Sequence, residues 1–217
     1  MELNKYIDHT LLKPTATIND IEELCKEAKT YSFYAVCVNG CYVNVAREAL
    51  KDSNIKIAAV IGFPLGAMST NAKIEEAKQC INDGAHEIDM VINIGFLKSG
   101  EIDRMREEIA AIKKAIGSRV LKVIIETCYL TTEEKILACK AAMDGKADFV
   151  KTATGFGTGG ATLEDVRLMK HQVGDRLQIK ASGGIKTLHQ AKEYLDLGVT
   201  RLGTSSGIQL MESNRSS

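Results

Sequence analysis

The stretch EIDMVINIGFLKSGEIDRMREEIAAIKKAIGSRVLKVIIET (87–127) opens on a short apolar run, passes through a longer segment of helical period, and closes on a second apolar run. In its middle, Ile102, Met105, Ile109, Ile112 and Ile116 recur every three or four residues, which lays one apolar stripe along a helix. Gly117 follows where a left-handed cap residue would end that helix. The unit therefore reads strand, helix, strand, and a crossover helix is the usual connection between parallel strands.

Outward from this stretch the same alternation repeats along the chain. The expected strands are YIDHT (6–10), YAVCV (34–38), IKIAAVI (55–61), EIDMVIN (87–93), LKVIIET (121–127), ADFVKT (147–152), LQIKAS (177–182) and TRLGTS (200–205). Helix starts are marked by Thr131 with Glu134, a capping box, and by Thr17 with Asp20, where the shorter carboxylate should reach back less well. Glycines at 84, 117, 145, 174 and 198 are the expected left-handed stops. Eight such units predict a closed (β/α)8 barrel, a TIM barrel of the α/β class, filling residues 1–217 as a single domain. An open doubly wound sheet is the rival; the count of eight and the near absence of insertions decide against it.

In a barrel the outer strand face packs on helices, so side-chain parity separates outer from inner residues. Ile88, Met90 and Ile92 should face out, leaving Asp89, Val91 and Asn93 inside; Leu121, Val123 and Ile125 out, leaving Lys122, Ile124 and Glu126; Leu177, Ile179 and Ala181 out, leaving Gln178, Lys180 and Ser182. ADFVKT stays ambiguous, since either Phe149 and Lys151 or Val150 and Thr152 could face the axis. A purely structural interior would be Val, Ile and Leu, because a buried ion costs several kcal/mol unless paired. Charge on this lining points to chemistry at the carboxyl ends of the strands.

The chain holds 28 Lys and Arg against 28 Asp and Glu, so it offers no basic field for nucleic acid and no polybasic anchor for a membrane. The N-terminus MELNKYIDHT lacks the apolar run of a secretory signal, and a cytoplasmic location is expected. Six cysteines (25, 37, 41, 80, 128, 139) and four histidines (9, 86, 171, 189) form no metal-ligand spacing, so reduced structural thiols and no metal are the expectation.

A lysine attacks a carbonyl only as the free amine, and at the ordinary pKa of about 10.4 roughly one in a thousand is unprotonated near neutrality. A second ammonium nearby disfavours the charged form, and desolvation acts in the same direction. Lys151 and Lys180 fall on neighbouring strands at similar depth. Asp89 is the inward acid best placed to move protons, with Glu126 in reserve or as the counter-ion of Lys122.

Loops rich in glycine and hydroxyls follow the last three strands: TATGFGTGG (152–160), opening on Thr152, then SGG (182–184) and GTSSG (203–207). Such backbone approaches an anion closely, and phosphate after strands seven and eight is a recurrent use of this fold. Gly155, Gly157 and Gly160 also match GxGxxG, but in the sixth unit rather than the first, which argues against a dinucleotide site.

IDHTLLKP (7–14), AVCV (35–38), EIDMVIN, LKVIIET, FVKTATGFGTGGAT (149–162), IKASGGI (179–185) and GTSSG together resemble the deoxyribose-phosphate aldolase family, nearly end to end. The resemblance implies a class I lyase without a cofactor that reversibly cleaves 2-deoxy-D-ribose 5-phosphate to glyceraldehyde 3-phosphate and acetaldehyde, in deoxynucleoside breakdown. Lys151 would form the Schiff base, Lys180 and Asp89 would serve the proton relay, and Thr152, Gly155, Gly183, Gly184, Gly203, Ser205 and Ser206 would hold the phosphorylated sugar. Some members carry a lysine where Phe156 stands, and some a tail tyrosine that MESNRSS (211–217) lacks. The rival readings are a phosphosugar isomerase of the same fold and a barrel that binds a phosphometabolite without catalysis; a homo-oligomer is possible under any of them.

Overall fold

The computed structural model describes residues 2–215; Met1, Ser216 and Ser217, the last two belonging to the MESNRSS tail, lie outside the described residues. Eight strands, β1 (Ile7–Leu11), β2 (Ala35–Asn39), β3 (Lys56–Ile61), β4 (Glu87–Val91), β5 (Val120–Ile124), β6 (Phe149–Lys151), β7 (Gln178–Ser182) and β8 (Arg201–Thr204), overlap the expected runs. They pair in parallel in chain order, and β8 returns to β1, so the barrel is closed and neither edge is left unpaired. Helices α1 (Ile18–Tyr31), α2 (Val43–Leu50), α3 (Thr70–Asp83), α4 (Ile94–Lys98), α5 (Ile102–Ile116), α6 (Thr132–Asp144), α7 (Leu163–Val173), α8 (Leu188–Asp196) and α9 (Gly207–Arg215) complete the chain. Among the described residues no helix is long and apolar enough to cross a membrane.

Parity works as expected on the outer face. Ile88, Met90, Ile92, Leu121, Val123, Ile125, Val150, Ile179 and Ala181 join one apolar core with Met105, Ile109, Ile112 and Ile116 of α5. Removing each of the Val, Leu, Ile and Met side chains from water stabilises the fold by about 1.5–3 kcal/mol. The core is thus the shell between sheet and helices, and the barrel interior is left for other residues.

Several local expectations are corrected. The Thr17 cap is a full box: Asp20 accepts the Thr17 N–H at 2.8 Å, the same distance as the Thr131 N–H to Glu134, so the shorter carboxylate loses no reach. Gly145 ends α6 at φ −76°, and the left-handed residue is the following Lys146 at φ 63°. Asn93 leaves β4 to cap α4, accepting the Phe96 N–H at 3.2 Å, and does not line the interior. Gln178 lies exposed at the amino-terminal rim, where Thr200 donates to it. β5 ends at Ile124 because Glu126 adopts φ 52°, a left-handed conformation that turns the chain out of the strand.

Candidate active site

The ambiguous sixth strand resolves with Lys151 inward. Val150 packs in the outer core, and the Thr152 hydroxyl is buried against β7, donating to the Ser182 carbonyl and accepting the Ser182 N–H, both at 2.9 Å. Thr152 therefore ties two strand ends together and does not line the cavity above them.

The register of β4, β5, β6 and β7 aligns Asp89 with Lys122, and Ile124 with Lys151 and Lys180. The twist and tilt of the strands then bring all three lysines onto one carboxylate. Asp89 Oδ2 accepts from Lys151 Nζ and from Lys180 Nζ, each at 2.8 Å, while Oδ1 accepts from Lys122 Nζ at 2.7 Å. The nitrogens of Lys151 and Lys180 share one oxygen, so they lie within twice that distance of each other. Beneath them a floor unforeseen from the sequence completes the pairing: Lys180 also binds Asp8, Lys122 binds Glu87 at 2.5 Å, and Arg201 bridges Asp8 at 2.7 Å and Glu87 at 2.9 Å. Tyr34 closes that end, its ring 3.7 Å from the Arg201 guanidinium. Glu87 and Arg201 share the inward parity of Asp89 and Gly203, so extending each alternation by one step would have found them. For Asp8 the hint was weaker, a single acid in a short apolar run.

Burial pushes the Lys151 ammonium below its ordinary pKa and Lys180 adds to the effect, with Asp89 opposing. Desolvation thus outweighs the neighbouring cation, reversing the order of importance expected from sequence. Burial also works against the Lys180 ammonium, but Asp8 and Asp89 overcome it and lift its pKa above the ordinary value. Burial would raise the Asp89 carboxyl, yet Lys122, Lys151 and Lys180 together hold it well below the usual range. Asp8 follows the same balance, burial being outweighed by Arg201, Lys180 and Lys122, and comes down to about 2.

Glu126 is not the partner of Lys122, which pairs with Glu87 and Asp89 instead. The Glu126 carboxylate accepts the Thr154 N–H at 3.2 Å and the Thr154 hydroxyl, which fastens the loop after β6 to the end of β5. That loop borders a cavity of about 270 Å³ reached by Lys151 and lined by Gly155, Gly183, Gly184, Gly203, Ser205 and Ser206, the residues expected to meet phosphate. Exposed Lys13 and Lys186 line it too, and both were missed. Phe156 sits at the same rim, edge-on to Phe63 with ring centres 5.3 Å apart. Two glycines answer to packing. A Cβ on Gly160 would stand 2.2 Å from the Gly183 carbonyl oxygen, so this glycine of the GxGxxG match serves the approach of two loops. A Cβ on Gly203 would stand 3.0 Å from Lys180 Cε and crowd that side chain.

A buried lysine whose proton affinity is lowered, at the base of a cavity lined by glycines and serines, is equipped for carbonyl addition. Comparison with known proteins points the same way. The family model described as DeoC/LacD family aldolase matches residues 3–209. The deoxyribose-phosphate aldolase of Bdellovibrio bacteriovorus is 56% identical over 212 residues, covering 98% of this chain and 96% of the relative. That of Streptococcus gordonii is 52% identical over 217 residues, covering 100% and 99%. Among solved structures, the aldolase QR15 superposes with a TM-score of 0.96 at 41% identity, covering 100% of this chain and 97% of that one. The deoxyribose phosphate aldolase of Aeropyrum pernix, described as a tetramer, gives 0.90 at 30% identity, covering 99% and 91%.

Proposed function

Because this chain belongs to the DeoC/LacD family of aldolases, we propose that it reversibly cleaves 2-deoxy-D-ribose 5-phosphate to D-glyceraldehyde 3-phosphate and acetaldehyde, with Lys151 as the Schiff-base nucleophile. The observation that carries this reading is the shared Asp89 oxygen, which holds a depressed amine and a stabilised ammonium side by side under the cavity.

The neutral amine of Lys151 adds to the sugar aldehyde carbon, and loss of water leaves a protonated imine. That cationic nitrogen accepts the electron pair of the breaking carbon–carbon bond, giving an enamine, while the departing carbon's hydroxyl releases a proton and becomes the product aldehyde. Protonation of the enamine and addition of water then free acetaldehyde and regenerate the amine. Lys180, held protonated, is the proton donor of the relay. Asp89 is too well stabilised as an anion to be a strong base; it orients both amines and takes a proton only in passing. The iminium is the electron sink, so the reading needs no cofactor.

Borohydride added with acetaldehyde should fix an N-ethyl group on Lys151, located by peptide mass. Adduct on Lys122 or Lys180 instead would overturn the assignment, and turnover without any trappable adduct would exclude Schiff-base chemistry. The phosphate is assigned to the Gly183, Gly184, Ser205 and Ser206 side of the cavity, with Lys186 supplying charge where Phe156 supplies none. Lys186→Ala should raise KM for the phosphorylated sugar about tenfold, the scale of one charge-assisted hydrogen bond, and leave KM for unphosphorylated deoxyribose unchanged. Steady-state kinetics on the two sugars checks this. A cytoplasmic enzyme of deoxynucleotide catabolism, assembled as a homo-oligomer like the Aeropyrum pernix relative, completes the reading.

A further inference from the structure

The barrel interior holds four cationic side chains, Lys122, Lys151, Lys180 and Arg201, against three carboxylates, Asp8, Glu87 and Asp89, and all seven are buried. Lys122 meets Glu87, Asp89 and, at 4.0 Å, Asp8; Lys180 meets Asp8 and Asp89, and Arg201 meets Asp8 and Glu87. Lys151 pairs with Asp89 and with no second carboxylate of the cluster. With every group ionised, the cluster would carry one excess positive charge away from water, which is costly unless a proton leaves. The amine with the fewest carboxylate partners, and the one that reaches the cavity, gives it up most easily.

We propose that Arg201, on β8 at the far end of the barrel from the cavity, is a positioning residue that sets the proton affinity of Lys151 by supplying the cation that leaves the cluster one carboxylate short. It cannot surrender its own proton in the usable range, so the deficit passes to a lysine. The Tyr34 ring lies over its guanidinium, which stays buried and so is little screened by solvent. Among the described residues no other group facing Lys151 makes up the deficit. Cys37 on β2 is buried with its thiol pushed up and uncharged, Ala58 and Val60 on β3 are apolar, Glu126 is engaged by Thr154, and exposed Lys13 and Lys186 are screened by water.

The inference rests on Lys151 being the nucleophile, and the test separates the two claims. The rate of borohydride trapping of acetaldehyde on Lys151 is followed against pH in the intact protein, with the site read by peptide mass. Arg201→Met leaves three cations for three carboxylates, and its midpoint should rise by about one pH unit, lowering trapping at neutral pH about tenfold. Arg201→Lys keeps the charge and should keep the wild-type midpoint. Glu87→Gln widens the imbalance and should move the midpoint down. The double variant Glu87→Gln with Arg201→Met removes one charge of each sign and should return it to the wild-type value; it leaves Glu87 and Arg201 without an unpaired charge between them, so it is expected to fold even should Arg201→Met alone fail to. Single variants that share one midpoint or shift in the same direction overturn the proposal, as does Arg201→Lys behaving like Arg201→Met. Should Arg201→Met not fold, a downward shift in Glu87→Gln that the double variant reverses supports the proposal, and any other pattern refutes it. Absence of adduct on Lys151 in the unmodified protein would instead refute the nucleophile assignment itself.

Discussion

Lys151→Arg is expected to lower kcat/KM by at least about four orders of magnitude, the scale on which enzymes lose rate when a covalent nucleophile is removed. The guanidinium can still pair with Asp89, so the variant should fold, but it stays protonated at every usable pH and cannot add to a carbonyl. The contrast with native Lys151 is one of proton affinity, which burial lowers for an amine and cannot lower enough for a guanidinium. Two measurements check the outcome together: aldol cleavage by coupled assay, and circular dichroism to show that the barrel persists. Appreciable turnover in a folded Lys151→Arg protein would remove the nucleophile role.

The second large effect is expected for Asp89→Asn, in stability as well as rate. Asp89 is the carboxylate that Lys122, Lys151 and Lys180 have in common, and all four side chains are buried. Breaking a buried ion pair by removing one partner costs about 3–5 kcal/mol, which in a domain of this size lowers Tm by about 10 °C. The activity of the folded fraction should drop at least about a hundredfold, as for loss of a proton-transfer group.

The pH dependence of that stability has a definite sign. The folded pKa of Asp89 lies well below the ordinary carboxylate value and that of Asp8 at about 2, so their contribution is fully present above the ordinary value. It is lost as pH falls through the ordinary value and toward the folded ones, where the unfolded chain binds protons first. The stability gap between the native protein and Asp89→Asn should therefore shrink as pH drops below about 4. Thermal melts across that range would show it, and a gap independent of pH would mean that Asp89 is not held as an anion by the lysines.

Which features could be read from the chain alone follows from how local their causes are. The stripe from Met105 to Ile116 and the Thr131 box each depend on residues within a turn or two of one another, and both stand in the structure as expected. Strand parity at Asp89, Lys122 and Lys180 was equally legible, because the outward partners are uniformly apolar. The sixth strand was not, since Phe149, Val150 and Thr152 offer no clean alternation and only packing on the outer core turns Lys151 inward. Glu126 misled for a related reason: parity presumes a continuing strand, and its left-handed backbone ends that presumption one residue beyond Ile125.

Periodicity and composition by themselves determined that eight β/α units would close on an interior carrying charge, because alternation and capping act over a few residues. Only the tertiary structure decided which charges meet. Closing the sheet pairs β8 with β1 across the interior from β4, so Asp8 and Arg201, 193 residues apart in the chain, become joint partners of a network reaching Lys151. A proton affinity set by that network depends on burial and on neighbours from five other strands, and neither exists until the barrel is closed.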